Sequence, residues 1–150
     1  MTHNYMMSQA SEFDLQLMAE AGRTIGLRTR IENFRELRVV AFSAALLGDF
    51  DHPCVRIRHR YNPLDDDKQA STLAAVACIN VYHMPDADAC LAETYARSSE
   101  PNGPPRLIRE SVDYMSRSAR DKTAAMRRAV VTVAAALYRA ALEAEGGNRV

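Results

Sequence analysis

Between Arg106 and Glu145 the chain contains neither glycine nor proline, and half of the residues over 126–145 are alanine or valine. A single unbroken helix over that stretch would be about 60 Å long at 1.5 Å per residue, too long for one small domain. The spacing therefore predicts a helical hairpin over 106–145, broken near Ser116 to Ser118, with Ser118 and Asp121 capping the second arm. In that arm Met126, Val130, Val133, Leu137 and Ala141 form one stripe, flanked by Ala134, Tyr138 and Leu142. Ala124, Ala125, Ala129, Ala135 and Ala136 extend small or apolar surface around nearly the whole circumference. A helix apolar all round belongs inside a core or between subunits. Self-association through Met126, Val130, Val133, Leu137 and Ala141 is the expectation, with a central core helix as the competing reading.

The N-terminal half is less uniform. Residues 1–10 read as a polar segment, and a first helix is predicted from Ser11 to Ala21, with Ser11 and Asp14 as a capping pair and Gly22 as the stop. Thr29 and Glu32 resemble a capping box, and Ile31, Phe34, Leu37 and Ala41 follow at spacings of three and four, which favours helix through Leu47. Val39, Val40 and Phe42 support a competing strand over 38–46. The cleanest period-two pattern is 54–61, where Val55, Ile57, His59 and Tyr61 alternate with Arg56, Arg58 and Arg60. That strand needs partners, and 38–46 and 75–82 are the candidates, although Asp65, Asp66 and Asp67 also suit the start of a helix there. Pro85, Asp86 and Asp88 predict a helix to Arg97, and the proline-rich 98–105 reads as a linker. Together these give one compact domain of mainly α structure with a small antiparallel β-meander (α+β) in 11–97, or else an all-α bundle. No internal sequence repeat is found.

The 150 residues can bury about 68–70% of their unfolded surface, so no disulfide framework is needed. Nineteen basic and nineteen acidic side chains cancel, which removes bulk charge as an argument for nucleic acid or an anionic membrane. Arginine outnumbers lysine 17 to 2, and its spread along the chain reads first as codon bias. No export signal and no run of about 20 apolar residues occurs, so the expectation is a cytoplasmic protein that does not enter the membrane.

His52, Cys54, His59, Cys78, His83 and Cys90 are chemically suited to zinc or thiol chemistry. No two cysteines are closer than twelve residues, which is unlike a structural zinc site. Neither Cys78 with His83 nor Cys54 with His59 shares a face of a helix or a strand, so a cysteine–histidine nucleophile is not predicted. Aspartates 49, 51 and 65–67 lack the spacing of a calcium loop. No phosphate-cradling glycine loop or hydrolase elbow occurs, and no catalytic residue, metal or cofactor is assigned.

Two basic features remain: the strand face Arg56, Arg58 and Arg60, and the segment 106–128 with Arg117, Arg120, Arg127 and Arg128. The latter carries seven basic residues against three acidic ones, and Arg109, Asp113 and Arg117 stand four apart as helical pairs. The function expected is binding of another macromolecule, as an adaptor, regulator, inhibitor or assembly component. Protein and a second copy are the favoured partners, and nucleic acid at these arginines is the alternative.

Overall fold

The computed structural model describes residues 9–43, 59–98 and 100–147. In chain order these form α1 (Glu12–Thr24), β1 (Arg28–Phe34), β2 (Leu37–Ser43), β3 (His59–Arg60), α2 (Asp67–Val76), β4 (Asn80–Met84), β5 (Ala89–Ala96), β6 (Arg106–Asp113) and α3 (Ala119–Gly147). The strands make two antiparallel sheets, ordered β1-β2-β3 and β4-β5-β6. The fold is α+β, and the all-α alternative is set aside. One pattern, a helix followed by a three-stranded sheet, occurs twice and is completed by α3. The sequence carries no trace of this duplication, because the two units share architecture rather than residues.

The caps show how alike the units are. Ser11 accepts from the Asp14 amide at the start of α1, as its spacing predicts, and Asp66 accepts from Gln69 in the same way at α2. α1 runs past Gly22 and ends with Gly26 in the left-handed region, the Leu27 amide bonding back to Gly22 and the Gly26 amide to Arg23. At α2 the same two bonds run from Ile79 to Ala74 and from Cys78 to Ala75. Cys78, at φ 55°, occupies the position that Gly26 fills in the first unit.

Several expected elements are overturned. Of the helix expected over 29–47, residues 29–43 form a hairpin, β1 and β2, in which Phe34 faces Leu37 across a two-residue turn. The competing strand reading of 38–46 therefore holds over 38–43; residues 44–47 lie outside the described residues. Ile31 and Phe34, read as one helical face, lie on opposite faces of the sheet. Of the strand expected over 54–61, His59–Arg60 is β3, paired with Phe42 and Ala41; residues 54–58 lie outside the described residues. The segment 75–82 divides between both readings: α2 ends at Val76, and β4 begins at Asn80 and belongs to the second sheet. The helix from Pro85 to Arg97 is reduced to a 3-10 turn at Pro85–Ala87, after which left-handed Asp88 reverses the chain into β5. The first arm of the helical hairpin is a strand, β6, so 98–105 joins neighbouring strands of one sheet. Helix propensity in Ala89–Ala96 yields to pairing on both sides of β5, an override by tertiary context.

α3 is the centre of the packing. Ala125, Ala129, Val130, Val131, Val133, Ala134 and Ala135 are buried, against α1 on one side and β5 and β6 on the other. Small side chains let the backbones approach, and the Thr24 hydroxyl donates to the Ala134 carbonyl at 2.7 Å. Arg128 grips Asp14 with two nitrogens at 3.0 and 2.9 Å, Arg139 donates to Glu20 at 2.6 Å, and Arg127 donates to Asp67 and to the Leu64 carbonyl. The bonds that Arg128 donates to the Asp14 carboxylate push its guanidinium further up from its ordinary value, so the charge is held in place.

Two glutamine side chains take up main-chain groups of β2, and of β3 and the segment that follows it. Gln9 accepts from the Arg38 amide and donates to the Arg38 carbonyl, while Gln69 accepts from the Asn62 amide and donates to the Arg60 carbonyl. Beside them Tyr61 is buried, its ring edge-on to Phe42 at 5.7 Å, and its hydroxyl finds no hydrogen-bond partner among the described residues.

Two outcomes follow for denaturant titrations. Cys78→Gly removes left-handed strain and should stabilise by up to about 1 kcal/mol, whereas Gly26→Ala should cost about that amount. Burial pushes the Tyr61 phenol well above its ordinary value. A raised acid pKa in the folded state means stability is full below the unfolded value of about 10 and falls as pH rises beyond it. Tyr61→Phe should therefore be neutral or stabilising by about 1 kcal/mol at pH 7 and should flatten the decline above pH 10.

Candidate functional site

The first sheet turns one face to the core through Thr29, Ile31, Val40 and Phe42. Its other face carries Glu32, Phe34, Leu37, Val39 and Ala41, with Arg60 opposite Ala41. These residues line a groove of about 950 Å³. Val39 and Ala41 form its covered floor, yet neither belongs to the core on the far side of the sheet. Phe34 stands at the hairpin tip, 61% exposed, with the Arg35 guanidinium 5.5 Å from its ring centroid. Glu32, Arg35, Glu36 and Arg60 ring the apolar strip with charges of both signs. The sequence reading put Phe34, Leu37 and Ala41 on a helix and, from Val39, Val40 and Phe42, weighed a competing strand over 38–46. The strand is what forms over 38–43, but the face that Phe34 and Leu37 share was not read.

Of the residues expected to bind a partner, Arg60 lines this groove, and Arg56 and Arg58 lie outside the described residues. The others are dispersed. Arg127 and Arg128 are engaged with Asp67 and Asp14, Arg117 stands 3.5 Å from Asp88, and Arg120 is exposed on the first turn of α3. Arg106 and Arg109, part of the same expected basic helix, lie on β6 and face Glu143 and Glu93. The expected self-association stripe is divided as well: Val130 and Val133 are core, Met126 and Leu137 are half-buried, and Ala141 is exposed.

The zinc and thiol candidates separate too. His52 and Cys54 lie outside the described residues, and His59 stacks near Phe42 at 5.4 Å. Cys78 is an exposed helix cap. Among the described residues no group of three histidine, cysteine or acidic side chains is placed to hold a metal ion. The structure does pair one thiol with an imidazole that sequence spacing did not: Cys90 and His83 stand opposite each other across β5 and β4. His83 Nδ1 is 2.5 Å from the Tyr114 hydroxyl, and Lys122 lies 5.7 Å from that ring. Burial pushes the Cys90 thiol up, and partial burial, then the proximity of Cys90 and Asp88, pushes the Tyr114 phenol up. A nucleophilic cysteine needs the opposite shift and access to solvent. Cys90 is fully covered.

Comparison of the chain with protein-family models, with curated proteins and with solved structures returned no match. No helix among the described residues is long and apolar enough to cross a membrane.

In a Cys54→Ser background, iodoacetamide at neutral pH should modify Cys78 at least about tenfold faster than Cys90, as read by peptide mapping of the native protein. Rapid modification of Cys90 would mean that its thiol is neither covered nor held protonated.

Proposed function

We propose that this chain is a non-enzymatic binding protein whose β1–β2 face holds an extended, partly apolar segment of a partner polypeptide. The observation that carries the reading is the strip Phe34, Leu37, Val39 and Ala41, apolar at its centre and rimmed by Glu32, Arg35, Glu36 and Arg60. An apolar centre inside a polar rim is the usual anatomy of a protein interface. Mixed charge at the rim suits a polypeptide better than a phosphate backbone, which calls for a consistently basic track. Nucleic-acid binding by 106–128 draws less support, because Arg106, Arg109, Arg117, Arg127 and Arg128 each face an acid of the same chain. The free thiols of Cys78 and Cys90 fit a cytoplasmic, reducing setting.

A random-peptide display library panned against the full chain should enrich sequences with spaced apolar residues. Phe34→Glu should weaken the selected peptides at least about tenfold in fluorescence anisotropy, the size of a hot-spot loss, while leaving the circular dichroism and melting midpoint unchanged. Undiminished binding by that variant, or no enrichment together with steeply salt-dependent binding of duplex DNA, would overturn the reading.

A further inference from the structure

The second sheet, like the first, carries apolar side chains on its outward face. An antiparallel sheet with one face on the core ordinarily turns polar side chains outward at alternate positions. Here the inward positions are Val81 on β4, Cys90, Ala92 and Thr94 on β5, and Ile108 and Val112 on β6, packed toward α3. The outward positions include Tyr82, Leu91, Tyr95 and Leu107, with the polar Asn80 opposite Glu93 and Ser111 opposite Leu91. Tyr95 is 65% exposed and Tyr82 47% exposed. No described helix packs on this face.

In its middle, between the Tyr82–Leu91 and Tyr95–Leu107 pairs, stands one ion pair, Glu93 with Arg109. Arg109 reaches Glu93 through Nε at 2.9 Å and Nη2 at 2.8 Å, and both bonds end on the same oxygen, Oε2. Glu93 Oε1 and Arg109 Nη1 have no hydrogen-bond partner among the described residues, and Oε1 is not a buried orphan. The pair is therefore half used.

We propose that this face binds a second copy of the chain, two-fold related, so that each free Glu93 oxygen meets the free Arg109 nitrogen of the other copy. A closed two-fold interface needs a self-complementary patch, the same residues on both sides. One acid and one base side by side on neighbouring strands meet that requirement: turned by 180° about an axis along the strands between β5 and β6, the patch sets Glu93 on Arg109 and Tyr95 on Leu107, while Leu91 meets Ser111. A foreign partner would have to supply the matching pair; a second copy already carries it. Eight residues along β5 and three strands across give a face of roughly 27 by 14 Å, about half a standard interface per partner. Association is therefore expected in the micromolar range rather than the nanomolar. This surface is separate from the β1–β2 groove and from the α3 stripe, and the proposal stands without the proposed function.

The test is sedimentation velocity on the full chain from about 1 to 200 µM, with circular dichroism and melting of every variant. The wild type should pass reversibly from monomer to dimer. Tyr95→Glu, at a side chain exposed in the single copy, should raise the dissociation constant at least tenfold without altering the melt of the dilute protein. Glu93→Arg and Arg109→Glu should each be monomeric alone, because one carries only positive charge at the centre and the other only negative. Mixed in equal amounts they should form a heterodimer. A wild type that stays monomeric throughout the range overturns the proposal. So does a dimer that Tyr95→Glu leaves intact, or one abolished only by substitutions such as Leu142→Glu on the exposed end of α3. Should either charge variant fail to fold, the Tyr95→Glu result decides.

Discussion

The close approach of α3 to its surroundings is the constraint on which both sheets depend. α1 and the β5–β6 surface meet opposite sides of the same helix, so the separation of the two units is set by the width of its alanine and valine belt. A larger residue at Ala129 or Ala134 would have to push one neighbour away. The polar contacts then fix register: Asp14 and Glu20 on α1 and Asp67 on α2 each meet a different arginine of α3. Arginine suits these places because its planar fork can hold two acceptors at once, as Arg127 does with Asp67 and the Leu64 carbonyl. The high arginine count thus has a structural use, whatever its genomic origin.

Core and surface separate cleanly around that belt. Each sheet spends one face on the interior, and each leaves apolar side chains on the other: Phe34 and Leu37 on the first sheet, Tyr82, Tyr95 and Leu107 on the second. Isolated exposed apolar residues need no explanation, but aligned ones on a sheet face mark surfaces with company. The two faces differ in character. One is a groove with a charged rim; the other is an aromatic plateau with a single ion pair at its centre. That difference is why a foreign polypeptide is proposed for the first and a second copy for the second.

How much of this was legible in the sequence depends on the range of the determining contacts. Ser11 with Asp14 and Ser118 with Asp121 are local devices, and both caps stand where their spacing put them. The apolar belt of α3 was equally plain, since periodicity reports on a long helix directly. Strands were harder. Ala89–Ala96 has the composition of a helix, and only its pairing with β4 and β6 makes it a strand. Arg109 and Asp113 stand at helical spacing, but Glu93, distant in sequence, wins the arginine. The β1–β2 groove was half legible: Ile31, Phe34, Leu37 and Ala41 fit a helical template, while Val39, Val40 and Phe42 pointed to the strand that pairs with β1. Cys78 illustrates a subtler loss: its role as a left-handed helix terminus becomes visible only beside Gly26.

Gln9 and Gln69 carry a consequence of their own. A carboxamide can present an N–H donor and a C=O acceptor in one plane, the same pair a peptide unit offers, so each side chain makes the two bonds that a residue of a neighbouring strand would make. Proteins usually guard an unfinished sheet margin with charge or proline. This one guards it with mimicry, and any foreign backbone seeking to template there must first evict an amide that already fits.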